Sequence, residues 1–280
     1  MKFVRFRGNG TERPGCLDAE GSVRDLSGVI SDIEGDALSP DGLARLAALR
    51  VDDLPRVAST EFGPPIAHIG KIIGVGLNYR DHAAECNLPL PKEPTLFLKA
   101  TSALAGPNDP LVMPRDATSV DWEVELGVVI GRHGVNIAEN AALDHVAGYC
   151  AGIDFSERHF QFHRGGHGFK GKSADTFGPL GPWFVTADAV ADPQDLALTL
   201  SVNGAVRQQG TTRDMMFGVR ELVAYCSGFM SLHPGDVILT GTPAGVGMGQ
   251  KPPTYLAEGD EVTATIAGLG TQTHRVVAAR

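Results

Sequence analysis

One stretch of this chain, MMFGVRELVAYCSGFM at 215–230, carries clear helical periodicity, and nearly every other patterned segment of its larger part reads as a short strand. In that stretch Met216, Val219, Leu222, Val223 and Phe229 recur near helical spacing, with Asp214 expected as N-cap and the HPG at 233–235 as the stop. The strand candidates are KIIGVGLNY, PTLFLKA, WEVELGVVIG, PWFVT, LALTLSVNG, DVILTG and DEVTATIAG. Such an order lacks the regular strand–helix alternation of a parallel α/β sheet. With 35 glycines and 18 prolines available for tight turns, it predicts a mainly β, α+β fold.

Two units are expected within the 280 residues, a small N-terminal domain at 1–65 and a larger one at 66–280. In the first, KFVRFR alternates as a half-buried strand should, and DGLARLAAL is helix-like. The join, LPRVASTEFGPPIAHIG, holds Pro55, Pro64 and Pro65, which remove donors and fix φ, so an extended linker is expected. No apolar run is long enough to span a bilayer, and MKFVRFRGNG lacks a secretory apolar segment; the expectation is a cytoplasmic protein with no membrane partner. Cys16, Cys86, Cys150 and Cys226 are scattered without paired spacing, which suits reduced thiols. A net charge of −9 argues against a nucleic-acid surface.

Five segments carry candidate chemistry. In DWEVELGVVIG, strand alternation sends Glu123 and Glu125 to one face and Val124, Leu126, Val128 and Ile130 to the other. Two carboxylates on one face of an apolar strand call for a cation between them, and a hard divalent ion prefers such oxygen ligands. A solvated strand edge is the competing reading. Asp154, ending the apolar stretch in HVAGYCAGIDFSERHFQ, would supply a third carboxylate, or else cap the following helical turn. His82 and Glu85 in NYRDHAAE lie three apart, on one side of a helical turn, where a carboxylate raises imidazole basicity. A surface polar pair would have the same spacing. Lys172, with Lys170 before it, sits in the glycine-rich RGGHGFKGKSADTFGPLGPW, where it can neutralise a ligand oxygen or be a solvated loop cation. Finally, GDVILTGTPAGVG is a strand running into a Gly-Thr-Pro turn whose amides and Thr242 hydroxyl can bind an anion, or simply close a sheet. GVGLNY lacks the third glycine of a dinucleotide fingerprint, and GTPAGVG lacks the Gly-Lys-Ser/Thr of a phosphate loop.

In combination, GVGLNYRDHAAE, PTLFLKATSAL, VDWEVELGVVIG, GYCAGIDFSERHFQ, FKGKSADTFGPLGPW, VNG and GDVILTGTPAGVG resemble the fumarylacetoacetate hydrolase family over about residues 70–280. The resemblance implies a β-roll catalytic domain behind a small N-terminal domain, usually dimeric. It implies Mg²⁺ or Mn²⁺ at Glu123, Glu125 and Asp154, with His82 and Glu85 as the water-activating pair on a segment that often orders with substrate. It further implies Lys172 on the substrate's oxo or carboxylate oxygens, Arg158 and Gln161 on the departing oxyanion, and Thr242 on the substrate carboxylate. His163, Arg164 and His167 are extra residues of the FQFHRGGHG stretch, expected to be loop residues.

SERHFQ and GKSADTFGPLGPW are similar to bacterial members acting on 2,4-dioxo-3-deoxy sugar acids. The expected activity is therefore hydrolysis of the C–C bond of a 2,4-dioxo acid (an acylpyruvate), such as 2,4-diketo-3-deoxy-L-rhamnonate to pyruvate and lactate. Oxaloacetate decarboxylation, ureidoglycolate lysis and non-catalytic oxo-acid binding are the competing readings. The partners expected are a small oxo acid and a second copy of the chain.

Overall fold

The strand expected around Glu125 forms as Val124–Ile130 and lies well inside the larger of two main sheets. In the computed structural model, which describes residues 1–279 apart from Asn9 and Gly166, that sheet begins with four N-terminal strands. These are Arg56–Val57, Val23–Asp25, Thr11–Leu17 and Lys2–Gly8. It continues through Gly178–Thr186, Val146–Ile153, Val124–Ile130, Val237–Leu239, Ile72–Gly76 and Thr95–Lys99. Pairing along this path is antiparallel except between Val237–Leu239 and Ile72–Gly76. A second sheet orders Ala205–Thr211, Ala197–Val202, Glu261–Ile266, Gly270–Ala278 and Leu111–Met113. Five α-helices are described: α1 (Pro40–Ala47), α2 (Arg80–Glu85), α3 (Arg158–His163), α4 (Phe169–Lys172) and α5 (Val219–Ser227). The fold is mixed α+β and mostly sheet. No described helix is long and apolar enough to cross a membrane.

Alternation along Val124–Ile130 divides the core as the sequence predicts. Val124, Leu126, Val128 and Ile130 pack with Leu198, Val262 and other residues of the second sheet, whereas Val129 faces Phe3, Leu38 and Val237. The N-terminal residues are bound to the rest by main-chain pairing, Lys2 opposite Val185 and Phe3 opposite Phe184. α1 covers most of the helix-like DGLARLAAL and starts one residue earlier, with Ser39 Oγ capping it by accepting from the Gly42 amide at 3.0 Å.

α5 departs from expectation at both ends. It begins at Val219, whose amide donates to Gln194 Oε1 at 2.6 Å, while Asp214 closes a separate short turn at Thr212–Asp214. Asn78 draws the intervening residues out of helical geometry: its carbonyl accepts from Met216 N, and its Oδ1 from Phe217 N, both at 2.8 Å. The helix ends at Ser227 with Gly228 as C-cap, well before the HPG.

Candidate active site

Glu123 and Asp154 meet because their strands pair. The Asp154 amide donates to the Glu123 carbonyl at 2.9 Å, just beyond the Val124–Ile153 register. Glu125 stands two residues along the same face, and one oxygen from each of the three buried carboxylates lies within 4.8 Å of the others. Helix capping does not account for Asp154: Glu157 caps α3, its side chain accepting from the Phe160 amide.

Three buried cations surround these acids. Lys172 Nζ bridges Glu123 Oε2 at 2.7 Å and Asp154 Oδ2 at 2.6 Å. Lys99 pairs with the other oxygen of Asp154. The Arg158 guanidinium spans Glu123 at 2.6 Å and Asp121 at 2.9 Å, with its third nitrogen donating to Gln161 Oε1 at 3.0 Å. Burial by itself would raise the Glu123 pKa, but Arg158, Lys172 and His82 outweigh it and hold this carboxyl well below the usual range. Glu125 is pushed the other way, by burial first and then by Asp154 and Glu123. Among the described residues it has no ion-pair partner, and only the Gly241 amide donates to it, at 2.9 Å.

The short helix α2 brings His82 Nδ1 within 2.8 Å of Glu85 Oε1, with Cys86 Sγ at 3.9 Å. Burial opposes the imidazolium, but Cys86, Glu85 and the charge of Glu123 together raise the His82 pKa to about 10. The amides of the Gly-Thr-Pro turn do face anions, and these are the protein's own side chains. Amides of Gly241, Ala244 and Gly245 donate to Glu125, Asp81 and Glu85, and those of Gly247 and Met248 to Asp121. The Thr242 hydroxyl donates to the Val124 carbonyl at 2.9 Å and accepts from Gln208 at 2.7 Å.

A cavity of about 690 Å³ is lined by His82, Glu123, Glu125, Asp154, Arg158, Gln161, Lys172 and Thr242. Glu85 stands behind His82 as its hydrogen-bond partner. Of the extra residues, Arg164 and His167 lie outside the helices, as expected, whereas His163 closes α3; only His167 lines the cavity.

The sequence profile of the family "Fumarylacetoacetate (FAA) hydrolase C-terminal" matches residues 71–277. The chain belongs to the fumarylacetoacetate hydrolase family. A protein of Burkholderia multivorans, named only as a hydrolase, is 54% identical over 282 residues, covering 100% of both chains. The fumarylacetoacetate hydrolase of Exiguobacterium antarcticum superposes with a TM-score of 0.86 at 36% identity, covering 100% of both chains. Maleylpyruvate hydrolase of Sphingobium sp. SYK-6, solved with manganese(II) and pyruvate, superposes with a TM-score of 0.83 at 30% identity, again over 100% of both chains.

Enzymes of the fumarylacetoacetate hydrolase family are metal-dependent, and the donor set here fits a hard divalent cation. The decisive feature is Glu125, a buried carboxyl with no fixed cation beside two others that have them. Sequence reading missed Lys99, Asp121 and Gln208. Lys99 had one signal, a charge ending the apolar strand Thr95–Lys99. Asp121, fully buried, had another in being the first acid of DWEVE. Gln208 had none; it ties Thr242 to the Val124 amide from a strand of the second sheet.

Proposed function

We propose that the protein is a divalent-metal-dependent hydrolase that cleaves the C3–C4 bond of a 2,4-dioxo acid, releasing pyruvate and the acid of the acyl group. One observation carries the reading: a carboxylate triad whose Glu125 has no fixed cation shares one cavity with Lys172 and with His82, which Glu85 holds from behind. Mg²⁺ or Mn²⁺ would be held by Glu123, Glu125 and Asp154, and when bound it supplies Lewis-acid polarisation of the substrate's oxygens.

The protein's own groups carry the proton transfers. His82, with Nδ1 fixed by Glu85, takes a proton from water at Nε2, and the hydroxide adds to C4. Glu123 is one of the groups that raise the His82 pKa, so neutralising that carboxylate favours the neutral imidazole that a base requires. Lys172 and the Gln161 amide donate to the oxyanion at C4, while Arg158 braces Glu123 and Gln161. Thr242 takes the substrate carboxylate once its hydroxyl turns from the Val124 carbonyl. The C3–C4 bond then breaks with its electron pair on C3, forming the enolate of pyruvate. C3 recovers the proton from His82, which closes the balance.

The family resemblance points to 2,4-diketo-3-deoxy-L-rhamnonate as one such acid, which would yield pyruvate and lactate. The test is a panel of acylpyruvates, that sugar acid and oxaloacetate, assayed with Mg²⁺ and with Mn²⁺, identifying both products. We expect pyruvate with an equimolar second acid, and we expect His82→Gln to slow turnover by roughly 10²–10⁴-fold while Mn²⁺ binding persists. Pyruvate from oxaloacetate alone would identify a decarboxylase. Unimpaired hydrolysis by His82→Gln would remove the proposed base.

A further inference from the structure

Four of the large apolar side chains exposed in this protein converge on the mouth of the one cavity that holds the carboxylates. Leu88 (48% exposed), Leu98 (44%), Phe162 (52%) and Phe169 (45%) come from four separate places: the turn after α2, the strand Thr95–Lys99, α3 and α4. Leu77 and Met248 continue the apolar wall inward. Single exposed apolar side chains are ordinary on a protein surface, but four clustered at a cavity mouth mark a surface kept for a ligand. The charged groups, by contrast, lie at the buried end. Among the described lining residues the sole Arg and Lys are Arg158 and Lys172, both already engaged by the carboxylates.

From this division we infer that the cavity takes 2-oxo acids whose far end is an uncharged apolar chain or ring, with Phe162 and Phe169 as the residues that select it. The inference rests on the oxo-acid reading above and adds the chemistry of the acyl group. A second carboxylate at the far end would find no lysine or arginine at the mouth, only the exposed His167. A polyhydroxylated chain would have to shed water from each hydroxyl against phenyl and leucyl surface, which is unfavourable without hydrogen-bond partners. The mouth thus sets an apolar acyl chain ahead of a sugar-acid chain.

Straight-chain 2-oxo acids from pyruvate to 2-oxooctanoate, titrated calorimetrically into the Mn²⁺-loaded protein, provide the test. Each added methylene should lower Kd by roughly fourfold until the chain leaves the rim, while hydroxylated 2-oxo acids of equal length should bind no tighter than pyruvate. Both phenylalanines are exposed, so the Phe162→Ser/Phe169→Ser double variant should fold and should flatten the series; Leu98→Ser should flatten it in part. A series already flat in the wild type, or tighter binding of the hydroxylated acids, overturns the inference. So does a double variant that changes oligomeric state and leaves the slope intact, since the rim would then be an interface between copies. Turnover is scored separately: a steep binding series without acylpyruvate hydrolysis supports the apolar site and overturns the hydrolase reading, and hydrolysis with a flat series does the reverse.

Discussion

Glu123 and Glu125 stand two residues apart in one buried cluster, and their surroundings assign them opposite energetics. Glu123 balances Arg158 and Lys172, so Glu123→Gln leaves two buried cations undercompensated; we expect a loss of about 3 kcal/mol in urea unfolding of the metal-free protein. Glu125 balances no cation, and burial beside Asp154 and Glu123 raises its pKa, so Glu125→Gln breaks no ion pair and should leave that stability nearly unchanged. For Mn²⁺ the two should agree, each weakening binding by roughly 100-fold or more in calorimetry. Equal destabilisation by both would refute the charge assignment. Lys99 adds a related case: Lys99→Met strips one cation from Asp154, and the resulting deficit in melting temperature should shrink when Mn²⁺ is added. The Glu123–Glu125 pair was legible because alternation on a strand is a local property. Lys99 was not, because the partner that makes its burial tolerable lies 55 residues further along the chain.

At the scale of elements, strands were more readable than helices. Val124–Ile130 and Glu261–Ile266 follow their apolar patterns closely, since each turns one side to the core between the sheets. Val146–Ile153 did not register as a strand, because it is buried on both faces and so shows an unbroken small and apolar run with no alternation. α5 was misjudged at its start because Asn78 and Gln194, distant in sequence, satisfy the backbone donors that a local cap would otherwise serve. The turn after Val237–Leu239 shows the same non-local logic in its glycines. Gly245 has φ +106°, and a Cβ there would come within 2.0 Å of the Arg207 carbonyl oxygen, while its amide orients Glu85 at 2.9 Å. Gly245→Ala is therefore expected to lose about 2 kcal/mol or more of stability. It should also loosen the His82–Glu85 pair, so kcat should fall with little change in Mn²⁺ affinity. A variant of wild-type stability would show that the turn relaxes freely.

Across the whole molecule, one loop acid joins parts that the chain order separates. Asp109 makes a two-pronged ion pair with Arg7 of the first strand, accepts from the Gly106 amide at 2.7 Å, and presents its carbonyl 2.7 Å from His274 Nδ1 in the second sheet. Gln272, two residues before His274, donates in turn to the Ala151 carbonyl of the large sheet at 2.8 Å. Burial would raise the Asp109 pKa, but the Arg7 pair and the Gly106 amide hold it below the ordinary carboxylate value. A carboxyl depressed on folding stabilises the native state above its unfolded pKa, near pH 4, and that contribution is lost as pH falls through the lower folded value. With both side chains partly open to solvent, the pair should contribute about 1 kcal/mol. We therefore expect Asp109→Asn to be less stable than wild type near neutral pH and the two unfolding curves to converge as pH falls below the unfolded carboxylate value. Raising the salt concentration near neutral pH should narrow the same gap, because a half-exposed pair is screened. A gap that persists unchanged into acid would mean that Asp109 acts through its hydrogen bonds to the loop and not through its charge.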